Sequence, residues 1–130
     1  MTKAKKFIIT IGILFAIIAI GIIVLIINMG KNVSAYSDFD YSSLDLSSAL
    51  DGTYTGSEDG GIVKASVEVT VKDQVITQVT ILTHECGKGK PAEVIVKDIV
   101  EQNSLAVDAI SGATFSSGVI KMAVYNALTK

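Results

Sequence analysis

Hydrophobic patterning separates one long apolar run from a later part in which apolar and polar residues alternate. Residues 7–27 contain 21 positions without a charge. A helix of that length is about 30 Å long, close to the thickness of a bilayer's hydrocarbon core. Lys3, Lys5 and Lys6 precede the run, and positive charge favours the cytoplasmic side. Residues 1–29 are therefore predicted to form a cytoplasmic tip and a single transmembrane anchor in the cell membrane, with the remaining chain extracytoplasmic.

A cleaved signal peptide is the alternative interpretation of the same run. Val33, Ser34 and Ala35 resemble the small residues that precede a signal-peptidase site. The apolar core of a signal peptide is usually ~7–15 residues long. The longer run favours a retained signal-anchor helix.

Residues 30–50 are rich in Ser and Asp, with scattered aromatic and leucine residues. This composition predicts a linker with one short helical turn near residues 44–50. A flexible coil of this length spans roughly 25 Å. The linker would keep the outer domain near the membrane and let it pivot.

Residues 51–130 show the patterns of a small mixed domain. A short strand is predicted near residues 52–56, and every second residue from Val63 to Val71 is apolar, which is typical of a half-buried strand. Asp73 and Gln74 fit a tight turn, and residues 75–82 form a second β-rich run. The two runs predict an antiparallel hairpin.

Two amphipathic helices complete the domain. Pro91 suits the first turn of one helix, and apolar residues follow it at helical spacing. The second helix is predicted after Ser116 and Ser117, which are common N-cap residues. The apolar stripes are Ala92, Ile95, Val96, Ile99 and Val100 in the first helix and Ile120, Ala123, Val124, Ala127 and Leu128 in the second. The fold class is therefore α+β, an N-terminal transmembrane helix followed by a small antiparallel sheet packed against two helices.

Charge and composition narrow the possible partners. Three of the 11 basic residues precede the apolar run, so the outer part carries 8 Lys against 13 acidic residues, a net charge of −5. Nucleic acid is excluded as an expected partner because phosphate contacts need clustered basic residues. Cys86 is the single cysteine, so no internal disulfide is expected.

Residues 108–114 read Asp-Ala-Ile-Ser-Gly-Ala-Thr. Small residues before Thr114 allow close approach of a bulky group. A helix N-terminus directly behind Thr114 would offer backbone N–H groups and a positive dipole end to a phosphate. An ordinary loop before a capped helix is the simpler interpretation of these residues.

This stretch resembles the acceptor motif of the FMN-binding domain family, which has an Asp, two variable residues, Ser or Thr, Gly, Ala and a modified Thr or Ser. The resemblance covers roughly residues 50–130. It implies FMN joined covalently to Thr114 through a phosphodiester, and a separate FMN transferase that uses FAD and Mg²⁺. The other cofactor-binding candidates around the acceptor are Asp108, Ser111, Gly112, Ala113, Ser116 and Ser117.

His84 and Glu85 form a second group of cofactor-binding candidates. They lie in a turn where many family members carry Glu-Thr-Pro-Gly, and here Cys86 and Gly87 replace the Thr and Pro. Two main interpretations of His84 and Glu85 remain. They line the flavin pocket, or they belong to a solvated turn with a structural role. A zinc site is not expected because such sites usually need four ligands.

The functional expectation is an extracytoplasmic electron carrier rather than a stand-alone catalyst. FMN supplies the redox chemistry, and the protein positions it. The expected partners are the lipid bilayer, the transferase, and membrane or extracellular redox proteins. The alternatives are a cofactor-free envelope module that binds or inhibits another protein, and a flavin reductase, which would need a substrate pocket that the sequence does not reveal.

Overall fold

A computed structural model describes residues 1–85 and 89–129. The chain divides into two compact units, residues 1–32 and residues 33–130. The helices and strands are α1 (Lys3–Ser37), β1 (Gly52–Asp59), β2 (Lys64–Lys72), β3 (Val75–Glu85), α2 (Ile95–Gln102) and α3 (Thr114–Thr129), with short 3-10 helices at Tyr41–Ser43 and Lys90–Val94. The predicted α+β class is confirmed.

The first unit is an apolar helix. Over Lys3–Asn28 it is long and apolar enough to cross a membrane, a property that signal sequences share. All side chains of residues 1–28 are exposed, including Phe7 at 66% and Ile20 at 61%. The predicted helix is therefore present, and its apolar surface has no protein partner within the described residues.

The sheet is an antiparallel meander in the order β1-β2-β3. The alternation along β2 is as predicted, because Ala65, Val67, Val69 and Val71 are all buried on one face. The turn between β2 and β3 is also confirmed. Asp73 and Gln74 both have positive φ, 53° and 65°, the signature of the type I′ turn that suits a two-residue hairpin.

The helices α2 and α3 cover one face of the sheet. Helix α3 packs on β1 and β2, and helix α2 packs on β3. The approach of α3 to β1 depends on Gly56, where a Cβ would lie 2.3 Å from the carbonyl oxygen of Ala123. At the end of α2, Asn103 adopts a left-handed conformation, and its Oδ1 accepts the backbone N–H of Ile76 at 2.8 Å. This bond fixes α2 to the start of β3.

The structure corrects the predicted starts of both helices. The segment at Pro91 begins as the 3-10 helix Lys90–Val94 before α2, a common form for the first turn of a helix. The last helix begins at Thr114, so Ser116 and Ser117 lie buried within its first turn and are not caps. Their N-cap assignment was wrong because the loop turns into the helix earlier than the polar residues suggest.

The segment predicted as a flexible linker differs most from expectation. Tyr36 and Tyr41 are 9% and 5% exposed and belong to the core of the outer unit. A 3-10 helix lies at Tyr41–Ser43, where Asp40 Oδ1 accepts the N–H of Ser42, and a single turn lies within the predicted range 44–50, where the Ala49 N–H donates to the Leu46 carbonyl at 3.1 Å. Aromatic rings bury a large apolar area when they pack, and this outweighs the polar composition of the segment. Residues 36–44 are therefore packed structure and not a free coil.

Candidate functional site

The loop before α3 contains a tight turn built on Gly112. The N–H of Ala113 donates to the carbonyl of Ile110 at 2.9 Å, and Gly112 has a φ of 79° while Ser111 is not among the residues with positive φ. This combination defines a type II β-turn, which requires positive φ at its third residue. The glycine of the motif is thus explained by backbone geometry.

Ser117 holds this turn against the helix. Its Oγ accepts the N–H of Ile110 at 2.9 Å and donates to the carbonyl of Ala113 at 2.8 Å. The residue has no exposed surface, and Ser116 is 3% exposed. Ser117 therefore positions the loop, and neither serine is accessible to a modifying enzyme.

Thr114 is the exposed first residue of α3. Its hydroxyl makes no hydrogen bond to any described residue. The backbone N–H groups of Thr114, Phe115 and Ser116 also have no acceptor within residues 1–85 and 89–129, as expected for the first turn of a helix. Their orientation, together with the helix dipole, favours an anion at this point.

Two hollows lie beside Thr114. A cavity of about 210 Å³ is lined by Val63, Gly89, Gly112, Ala113, Thr114, Phe115 and Ser116. A smaller one of about 20 Å³ is lined by Tyr36, Ser37, Ala109, Thr114, Gly118 and Lys121. Thr114 thus lies between the larger cavity and the smaller one, which Tyr36 also lines.

Lys121 is a cation that sequence reasoning missed. Its Nζ donates to the carbonyl of Val107 at 3.1 Å and lies 4.5 Å from the ring centroid of Tyr41. Burial lowers the pKa of Lys121, while the charge of exposed Asp108 acts in the opposite direction. The sequence feature that could have indicated Lys121 is its position seven residues after Thr114, because this spacing puts both residues on one side of a helix.

Tyr36 and Tyr41 are the other residues missed at this site. The Tyr36 ring lies 5.8 Å from that of Phe115, and its hydroxyl donates to Glu58 Oε1 at 2.8 Å. The Tyr41 hydroxyl donates to the carbonyl of Gly118 at 3.4 Å. Burial raises the pKa of Tyr41 to about 12, and burial followed by the bond to Glu58 raises that of Tyr36. The only signal for them was the presence of aromatic residues in a polar segment.

β3 extends to Glu85, so His84 and Glu85 lie on a strand and not in the predicted turn. They point to opposite faces of the sheet, as neighbours on a strand do. The His84 side chain is 1% exposed, and its Nδ1 lies 3.1 Å from Glu93 Oε1. Its Nε2 is buried and has no partner among the described residues. Glu85 is exposed and lines a different hollow.

No described contact joins His84 or Glu85 to Thr114. Their role at a flavin stays a prediction, and Cys86 and Gly87 lie outside the described residues. Within the part of the chain that the structure describes, no three His, Cys, Asp or Glu residues are grouped so that they could hold a metal ion.

A small α+β domain that presents an exposed threonine at a helix N-terminus is suited to carrying an anionic group on that threonine. Comparison with models of protein families matches residues 60–129 to the FMN-binding domain. The match covers more than half of the chain, so the protein belongs to the FMN-binding domain family and its cofactor is FMN. A search of curated proteins finds no match.

The residues at Thr114 fit a phosphate-bearing cofactor. Three N–H groups without described acceptors belong to the same helix turn as the exposed hydroxyl, and Lys121 lines the adjoining hollow. Val63 and Phe115 add apolar surface to the larger cleft. Tyr36 and Tyr41 precede the matched region, so part of this site is built by residues outside the family match.

Proposed function

We propose that the protein is a membrane-anchored, extracytoplasmic electron carrier with FMN attached to Thr114 by a phosphodiester. The observation that carries the proposal is the exposed Thr114 hydroxyl at the first turn of α3, inside the region matched to the FMN-binding domain. The buried Ser116 and Ser117 are not available for the same reaction, which singles out Thr114 within its helix turn.

An FMN transferase that uses FAD and Mg²⁺ would make the attachment. The Thr114 oxygen forms a bond to the phosphorus on the FMN side of the FAD pyrophosphate. The bond between that phosphorus and the bridging oxygen breaks, AMP leaves, and the hydroxyl proton is released. No electrons are transferred in this step.

The chain's own residues then position the attached group. The N–H groups of Thr114, Phe115 and Ser116 would hold the phosphate, because the first N–H groups of a helix point away from its body. Gly112 and Ser117 hold the loop in one conformation. FMN supplies the capacity to accept one or two electrons.

The placement of the domain outside the cytoplasm rests on the apolar helix and the three lysines before it. Covalent attachment suits that location, because a dissociated flavin would diffuse away. The partners would be the transferase and redox proteins of the membrane or the extracellular space. Protease added to intact cells should digest residues 51–130 and leave the anchor fragment. A protected domain would contradict this orientation, and a soluble chain beginning at Tyr36 would show signal cleavage.

Thr114→Ala tests the attachment site. Full-length protein incubated with transferase, FAD and Mg²⁺ should show flavin fluorescence in a denaturing gel, together with the mass of one FMN adduct. Thr114→Ala should show neither, because it lacks the acceptor oxygen, whereas Thr114→Ser should retain partial labelling.

Ser111→Ala is the matched control, since Ser111 is another exposed hydroxyl of the same motif and its loss should leave labelling unchanged. Covalent flavin on Thr114→Ala would show that the site is wrong. A wild-type protein that never acquires flavin would favour a cofactor-free envelope module instead.

A further inference from the structure

Lys121 lies on the same side of α3 as Thr114. The two residues are seven positions apart, with Gly118 between them at the fourth, and positions with this spacing share one helix face. A helical side chain extends toward the N-terminus of its helix, so Lys121 extends toward Thr114. Both residues line the small hollow beside the acceptor loop.

The ammonium group of Lys121 is held in place by two neighbours. The Val107 carbonyl accepts one of its three N–H groups at 3.1 Å, and the face of Tyr41 lies 4.5 Å away. The other two N–H groups have no hydrogen-bond acceptor among the described residues. The group is thus ordered and partly buried, and it still has donors to offer.

The acceptor loop and α3 contain a single basic side chain. Lys121 is the only basic residue between positions 98 and 129, and the sequence has no Arg. The negative charge of exposed Asp108 acts on the ammonium from the loop side. An anion on Thr114 would be a second negative charge close to the same ammonium.

We propose that Lys121 binds the phosphodiester formed on Thr114 and supplies its positive counter-charge. The inference rests on the proposed function. The backbone N–H groups of the first turn contact the phosphate from the helix end, and the ammonium contacts it from the side. Tyr41 and the Val107 carbonyl are positioning groups, because they act on the phosphate only through Lys121.

A direct test follows the titration of Lys121 before and after flavin loading. Full-length protein in detergent, labelled with ¹³C at lysine Cε, is titrated by NMR, and the signal missing from Lys121→Arg assigns Lys121. A nearby anion stabilises the charged form, so loading should raise the pKa of Lys121 by about one unit or more. Lys97, which is 78% exposed, should not change. An unchanged Lys121 titration would overturn the proposal.

A second test measures the initial rate of flavin incorporation by the transferase with FAD and Mg²⁺. Lys121→Met keeps an unbranched apolar side chain and removes the charge, so loading should slow about tenfold, the loss expected for one charge-assisted hydrogen bond. Lys121→Arg should retain most of the rate, and Lys97→Met should equal the wild type. Equal rates for Lys121→Met and the wild type would contradict the proposal.

These outcomes separate the inference from the function on which it rests. Absence of covalent flavin from the wild type contradicts the proposed function. Wild type loaded on Thr114 with an unchanged Lys121 titration contradicts only the role of Lys121. Circular dichroism checks the fold of Lys121→Met, and if that variant unfolds, the titration of wild-type protein still decides the question.

Discussion

The apolar part of α1 and the helix α3 are both rich in aliphatic residues, but their side chains have opposite surroundings. Side chains of residues 7–27 are exposed throughout, whereas Val119, Ile120, Ala123 and Val124 of α3 have no exposed surface. A helix that is apolar all around suits a membrane or a protein interior, while a helix with an apolar stripe buries that stripe against protein. The pattern of apolar residues therefore indicates what surrounds each helix.

The glycines of the two regions show the same contrast. A Cβ added to Gly12 or Gly21 of α1 would meet nothing within 4 Å. In the domain, a Cβ on Gly56 would meet backbone at 2.3 Å, and one on Gly118 would meet the Tyr36 Cβ at 2.5 Å. Glycine permits close packing in the domain and has no such role among the described contacts of the apolar helix.

The largest effect is expected from Gly56→Ala. The added methyl group would collide with backbone atoms of α3, which cannot move without separating the helix from β1. The domain should lose about 3 kcal/mol of unfolding free energy, which is more than about 10 °C in Tm for a domain of this size. Near-ultraviolet circular dichroism of the tyrosines measures Tm. Gly21→Ala is the control, and an equal loss there would contradict the contrast between the regions.

A charge in the middle of the apolar helix should have the next largest effect. Ile17→Lys places an ammonium at the centre of the run, at a membrane-insertion cost of about 3 kcal/mol. The variant should shift from the membrane fraction to the soluble or degraded fraction. The outer domain of any recovered variant should have the same Tm as that of the wild type. Full membrane retention of Ile17→Lys, compared with Ile17→Leu as the control, would contradict a spanning helix.

Gly112→Val tests the acceptor turn at a smaller energetic cost. A β-branched residue at a φ of 79° is strained by about 1–3 kcal/mol, so the turn should rearrange and flavin loading should fall strongly. Far-ultraviolet circular dichroism should show the same helix and strand content. Gly61→Val is a matched control, because Gly61 also has positive φ, 94°, and open space around it. Normal loading of Gly112→Val would mean that the turn geometry is incidental.

The smallest effect is expected from Tyr36→Phe. The loss of the hydrogen bond to Glu58 should cost about 1 kcal/mol. The pKa of Tyr36 is raised in the folded state, so its contribution is complete below the ordinary tyrosine pKa of about 10 and is lost as the pH rises above that value. Tyr36→Phe should therefore weaken the alkaline loss of stability. Tyr125→Phe is the control, and an identical pH dependence for wild type and Tyr36→Phe would rule out this contribution.

Patterns within single elements predicted much of the fold. The alternation from Val63 to Val71 and the turn at Asp73 and Gln74 were confirmed, because a strand pairing and a two-residue turn depend on neighbouring residues. The resemblance of residues 108–114 to the acceptor motif indicated the family that the match over residues 60–129 shows. The structure added the reason for Gly112, its type II turn, and the reason for Ser117, its two hydrogen bonds to the loop.

The packed segment around Tyr36 and Tyr41 was not predicted, because its local composition is polar and its stability comes from contacts with distant residues such as Phe115 and Gly118. Lys121 was missed for a related reason. A lysine beside an apolar stripe looks like an ordinary surface residue until the loop carbonyl of Val107 and the ring of Tyr41 are placed against it.

The sequence alone determined the apolar helix, the strand alternation and the family motif, since each depends on residue types at short spacing along one chain segment. Only the tertiary structure decided that Thr114 is exposed while Ser116 and Ser117 behind it are buried, which lysine lies beside Thr114 and which distant tyrosines complete the site. Those properties depend on burial and on contacts between segments. Chain folding creates such contacts, and local propensity does not encode them.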